Sequence, residues 1–211
     1  MSLTAGDKRI AHICQRLLPA PLVVDDYRAL KPEWKPEKPV TSPPVAAAVL
    51  IPIIRRNQEY SVLYTQRSPG LRAHSGQIAF PGGKIDPEDA DAAAAAIREA
   101  QEEVAMVPEQ VEVLGYLPPM FTGTNYLITP VVALVDPSAS FVANPVEVES
   151  IFEVPLARLA LDESYRILRV QRGDEEHKTW QIDFEGKSIW GITANLTRRF
   201  RDMTRIEEEN W

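Results

Sequence analysis

The stretch Phe80-Pro-Gly-Gly-Lys-Ile-Asp86, running on through Arg98-Glu-Ala-Gln-Glu-Glu-Val-Ala-Met106, restricts this chain more than any other. It predicts a glycine turn feeding a helix that carries a dense set of carboxylates. With Ala100 at the zero of a helical wheel and a step of about 100° per residue, Ala93, Ala96, Ile97, Ala100, Val104 and Val107 share one narrow apolar stripe. Glu99, Glu102 and Glu103 fall together beside that stripe, with Glu103 nearest the packed edge. Arg98 lies next to Glu102, its i+4 neighbour, close enough to pair with it and hold it.

Carboxylates crowded in this way repel. At about 4 Å and an effective dielectric near 20, each pair costs roughly 4 kcal/mol. On an ordinary surface helix, solvent and spreading side chains relieve the strain. A bound divalent cation relieves it more fully, and hard oxygen ligands suit Mg²⁺ or Mn²⁺. Pro81-Gly82-Gly83 sits between a short apolar strand, Gln77 to Phe80, and the helix. Paired glycines let a ligand approach the main chain, so a carbonyl near Gly82 is expected to complete a metal shell begun by the glutamates.

Gly83 followed by Arg98-Glu99-Ala100-Gln101-Glu102-Glu103-Val104-Ala105-Met106 resembles the Nudix box, the signature of hydrolases that split a diphosphate linked to another moiety. That pattern is a glycine, a lone Glu, then Arg-Glu-apolar-any-Glu-Glu-any-Gly-apolar. Here the interval from Gly83 to Arg98 is one residue longer than usual. Ala90 therefore stands where the lone Glu is expected, with Glu88 or Asp89 as substitutes. Ala105 replaces the late glycine. Upstream, Leu63 to Gly83, with Arg67, Ser68, Arg72, His74, Gly76 and Phe80, is similar to a second motif, which marks the Nudix branch acting on coenzyme A. Tyr64 stands where that motif favours Leu.

The resemblance implies the α/β Nudix fold, a mixed β-sheet sandwiched between α-helices, over residues 45–211, preceded by a helix and proline-rich arm over 1–44. It implies metal-dependent hydrolysis of the diphosphate of coenzyme A or its derivatives, giving 3′,5′-ADP and 4′-phosphopantetheine. Its alternatives are a Nudix hydrolase of ADP-ribose or a dinucleotide, and a module that binds a nucleotide without cutting it. In the first reading Glu99, Glu102 and Glu103, with Gly82, hold Mg²⁺ or Mn²⁺, and Arg98 orients the glutamates. Glu147 is the first candidate for the catalytic base and Glu102 the second, with Glu149 the fallback for the Glu147 position. Arg67, Arg72 and His74, three cationic or potentially cationic groups just ahead of the glycines, suit a phosphate clamp beside Gly83.

Bulk properties agree with a small-molecule enzyme. At 211 residues, 45% hydrophobic and 25% charged, the chain has ample length to bury a core as one domain. A net charge of −7 argues against a nucleic-acid partner. The single Cys14 excludes an internal disulfide and fits a reducing compartment. The longest apolar run, Val45 to Ile54, is too short for a bilayer, and no signal peptide is read in Met1 to Ala20, so the expected location is the cytoplasm.

Along the chain, Leu3 to Leu18 reads as an amphipathic helix, packing on the domain or on a partner chain in a possible homodimer. The prolines of Lys31 to Pro44 predict an extended arm, with Trp34 available to anchor it. Val45 to Ile54 and Tyr60 to Gln66 form a hairpin, Val111 to Leu117 a strand, and Leu127 to Val135 a strand interrupted by Pro130 near its start. Met120, Phe121 and Tyr126 line a pocket or pack in the core. Ser164 to Val170 and Lys178 to Phe184 pair around Gly173-Asp174, whose arginines Arg166, Arg169 and Arg172 decorate a polar face. A final helix opens at Gly191 with Thr193 or Asn195 near its start, and the chain frays from Ile206 to Glu209.

Overall fold

The computed structural model describes residues 7–27, 30, 42–71, 74–172 and 175–206. The proline arm from 31 to 41 with Trp34, the expected phosphate ligand Arg72 and the Gly173-Asp174 tip lie outside these described residues.

Strand β1 (Val45–Arg56) is the centre of the sheet. The two faces of its pleat are both apolar, so Ala48, Leu50 and Ile54 serve one core while Ile51 and Ile53 serve another. Its hairpin partner β2 (Glu59–Arg67) returns antiparallel through Asn57 and Gln58, both at positive φ, the backbone that a two-residue turn requires. On the other side β7 (Tyr126–Val135) runs parallel to β1 along its whole length. The expected break at Pro130 does not occur: Pro130 sits in register opposite Val49, and its carbonyl accepts the Leu117 N–H at 3.1 Å. A proline costs a strand only one donor, and here the acceptor still pairs.

The short strands β3 (Ile78–Ala79) and β4 (Gly82–Lys84) join β2 and β1 respectively. Strands β5 (Val111–Tyr116) and β6 (Met120–Phe121) flank β7, and β8 (Val148–Pro155) pairs with β2. Apart from the parallel β1–β7 pair, these pairings are antiparallel, so the sheet is mixed.

Helix α2 (Ala92–Val104) covers one face, its alanines packed on Leu50, Leu63, Val131 and Ala133. The other face is covered by α1 (Lys8–Cys14), α3 (Leu156–Ala160), α4 (Ile192–Thr204) and a second antiparallel sheet, β9 (Arg166–Arg172), β10 (Glu175–Phe184) and β11 (Lys187–Trp190). The expected sandwich of a mixed sheet between helices is therefore present.

Local details differ from expectation for identifiable reasons. Helix α1 starts at Lys8 because the Asp7 carboxylate accepts the Arg9 N–H at 2.9 Å and caps it, and its Ile10 and Ile13 are fully buried in its own domain. The apolar stripe of α2 stops short of the expected Val107, because the helix ends before it and leaves it exposed. Thr193 and Asn195 do stand near the start of α4, where Thr193 donates to the Ile78 carbonyl and Asn195 accepts from Thr179 and the Trp180 N–H. Of the end expected to fray, Ile206 is instead 1% exposed, held by a bond from its N–H to the Arg201 carbonyl, while Glu207 to Glu209 lie outside the described residues. Met120 and Phe121 pack in the core. Tyr64, in place of Leu, is fully buried, stacked on Phe80 with ring centroids 4.8 Å apart and bonded through its hydroxyl to Thr197 of α4. Among the described residues no helix is long and apolar enough to cross a membrane.

Candidate active site

Gly82 and Gly83 do not form the tight turn expected of them. They lie in β4, opposite Val49 and Ala48 of β1. The close approach that glycine permits is nonetheless used twice. A Cβ on Gly82 would fall 2.4 Å from the Ala48 carbonyl oxygen, and one on Gly83 would fall 2.5 Å from the Glu99 carboxylate. The second contact sets bare main chain directly against an acidic side chain of α2.

Asp91 caps α2 by accepting the Ala94 N–H at 2.8 Å. With the alanine face seated on the sheet, the three glutamates take three different environments. Glu103 is buried, Glu99 is partly buried, and Glu102 is exposed. Arg98 reaches Glu102 at 3.2 Å as the spacing predicts, and also Glu99 at 2.9 Å and the Lys84 carbonyl at 3.1 Å. Its principal partner is Asp89, gripped by Nε and Nη2 at 3.0 Å each. Of the two acids near the position of the missing lone Glu, Asp89 thus meets Arg98, while Glu88 is exposed. The guanidinium of Arg98, aided by the Asp86 N–H, holds the Asp89 carboxyl below its usual range.

Burial pushes Glu103 up to about 8, and the carboxylates of Glu99 and Glu147 push the same way. The Arg67 guanidinium, 3.7 Å away, and the Gly82 N–H oppose the rise. Glu99 is raised as well, first by burial and then by Glu102 and Glu147, against the pull of Arg98. Glu147, from the loop before β8, thus acts by its charge on both Glu99 and Glu103. Glu149 is exposed.

Arg67 sits at the end of β2, after a shift of register against β8, and its side chain turns toward Glu103. Its Nε is buried without a hydrogen-bond partner among the described residues. His74, at positive φ, bonds Gln77 Oε1 through Nδ1 at 2.9 Å and is exposed. A cleft of about 470 Å³ adjoins these groups, with Arg67, His74, Gly82, Gly83, Tyr126 and Thr193 on its walls. A larger groove of about 650 Å³ runs along α4 by Trp180 and Arg198, and none of Arg67, Gly82 and Gly83 is on its walls. Thr193 is the contribution to the cleft wall that no local pattern announces, since it depends on how α4 packs against β3.

An all-oxygen donor set carrying excess negative charge in a half-buried site fits a hard divalent cation. The carboxylates do not stand as a closed cage: among the described residues no three acidic, His or Cys side chains converge closely enough for that.

The sequence model of the NUDIX domain matches residues 44–172. The Nudix hydrolase NudL of Klebsiella pneumoniae (strain 342) is 47% identical over 152 residues, which cover 72% of this chain and 79% of that protein. The chain belongs to the Nudix family. NudL of Escherichia coli (strain K12) is 48% identical over the same length. A MutT/nudix family protein from Enterococcus faecalis, 14% identical, shares the fold with a TM-score of 0.50 over 82% of this chain and 68% of that one. The protein is accordingly a Nudix pyrophosphohydrolase, and hydrolases of this family generally need divalent metal ions.

Proposed function

We propose that this Nudix enzyme hydrolyses the diphosphate of coenzyme A or its derivatives, releasing 3′,5′-ADP and 4′-phosphopantetheine or its acylated form. The observation that carries the reading is that two groups of the cleft wall meet the acids of α2, Gly83 against the Glu99 carboxylate and Arg67 3.7 Å from Glu103, with the charge of Glu147 acting on both acids. The segment Leu63 to Gly83, which resembles the coenzyme A motif, supplies a large part of the cleft wall, including Arg67, His74, Gln77 and Phe80.

In this reading Glu99, Glu102 and Glu103, with main chain near Gly82, hold Mg²⁺ or Mn²⁺. When bound, the ion neutralises the diphosphate and acidifies a water molecule. Glu147 takes the proton of the water that attacks phosphorus, and the P–O bond to the leaving phosphate breaks. Glu102 ranks second because it is exposed and bonded to Arg98. Arg98 fixes Glu99 and Glu102 from one guanidinium. Arg67, Arg72 and His74 grip phosphate oxygens, and Gly83 leaves room for them to approach the main chain.

Incubation with coenzyme A and Mg²⁺ or Mn²⁺, followed by product identification, tests this directly. The expected products are 3′,5′-ADP and 4′-phosphopantetheine. Faster turnover of dephospho-coenzyme A or ADP-ribose than of coenzyme A overturns the substrate assignment.

A further inference from the structure

The last carbonyls of a helix have no partner within it, and at the end of α2 these belong to the turn that carries Glu102 and Glu103. They are met by one short segment. The Val142 N–H donates to the Val104 carbonyl at 3.0 Å, the Asn144 N–H to the Glu103 carbonyl at 2.9 Å, and Asn144 Nδ2 to the Glu102 carbonyl at 3.3 Å. Asn144 also organises the chain that follows. Its Oδ1 accepts the Val146 N–H at 3.2 Å, a local turn that the Asn-Pro pair favours. Its own carbonyl accepts the N–H groups of Glu147 and Val148 at 3.0 and 2.8 Å. From the other side the Ser68 N–H, next to Arg67, holds the Glu147 carbonyl at 2.8 Å.

We infer that Asn144 is a positioning residue that sets Glu147 relative to Glu103, by bonding the end of α2 and the Glu147 turn with the same side chain. The inference rests on the proposed role of Glu147 as proton acceptor. Without the Asn144 amide, the helix end and the turn are joined by main-chain bonds alone. The loop then keeps its path, but the carboxylate loses its set distance from Glu103. Groups that orient a site from behind it commonly cost 10- to 100-fold when removed.

The test is a double-mutant cycle in the full chain, assayed with a diphosphate substrate and Mg²⁺. Glu147→Gln alone examines the parent reading: wild-type kcat in that variant removes Glu147 from the mechanism and the inference with it. Given a loss there, Asn144→Ala is expected to lower kcat about 10- to 100-fold with KM little changed. In the Glu147→Gln background it is expected to lower kcat less than about twofold further. Asn144→Ser, which retains a short acceptor for the turn, is expected to recover part of kcat; it also stands in should the Ala variant fold poorly, as read by its melting transition. Equal losses in both backgrounds, or wild-type kcat in both Asn144 variants, overturn the inference while leaving Glu147 as the base.

Discussion

Replacing Glu103 by Gln in enzyme stripped of divalent ions with EDTA isolates the cost of a buried carboxylate. Glu103 is 2% exposed, and burial above all raises it from 4.5 to about 8. Between those two values the folded chain binds this proton and the unfolded chain does not, so stability falls as pH rises from about 4.5 to about 8. At 1.36 kcal/mol per tenfold change in proton affinity, the loss is about 3 kcal/mol by pH 6.5 and approaches roughly 5 kcal/mol above pH 8. Glu103→Gln removes that slope. Below about pH 8 the folded Glu103 is protonated, so the variant takes no anion from Arg67 there, and the Arg67 attraction is already contained in the rise to about 8. Urea unfolding of both proteins at intervals between pH 4.5 and 8.5 gives the difference in stability at each pH. The variant is expected to gain on the wild type steadily through this window. A difference that stays flat with pH would refute the claim that Glu103 is held in a desolvated, cation-seeking site. Excess Mg²⁺ is expected to flatten the wild-type curve as well, because a ligand that binds only the ionised folded site stabilises it by mass action.

Gly83→Ala places a methyl group 2.5 Å from the Glu99 carboxylate, the far end of a flexible side chain. The chain should therefore fold with a near-native melting temperature while Mg²⁺ affinity, read by activity titration, falls about 10- to 100-fold; unchanged metal dependence would show that Glu99 is not a ligand. Asp89→Asn, which takes the paired acceptor from Arg98, is expected to lower kcat about tenfold, whereas Glu88→Gln leaves it within about twofold. The reverse ranking would return the lone-acid role to Glu88. Ala105 ends α2 at φ 54, a left-handed conformation that costs a residue with a side chain about 1 kcal/mol, so Ala105→Gly should raise the urea midpoint by a corresponding amount. A lower midpoint would contradict that.

Much of α2 could be read in advance because its logic is local. The i, i+3, i+4 spacing of Glu99, Glu102 and Glu103 and the i+4 reach of Arg98 follow from helical rise alone, and the structure preserves both. The hairpin of β1 and β2 was legible for the same reason. Misreadings fell where a residue's state depends on a distant partner. Gly82-Gly83 looks like a turn, but β1 offers an unpaired edge for it to extend. Pro130 looks like a break, but a parallel neighbour and the Leu117 N–H carry the strand past it. Ile206 looks like a loose end, but it is buried in the core.

By itself the sequence determined the family, the mixed sheet between helices, and a helix with its acids gathered on one side, because periodicity and contiguous motifs are properties of neighbouring residues. Only the tertiary structure decided that Asp89 rather than Glu88 grips Arg98, that Arg67 turns onto Glu103, and that the charge of Glu147 acts on Glu103 across 44 positions of chain. Those choices depend on sheet register and on which groups burial strips of water, and neither is set by residues adjacent in sequence.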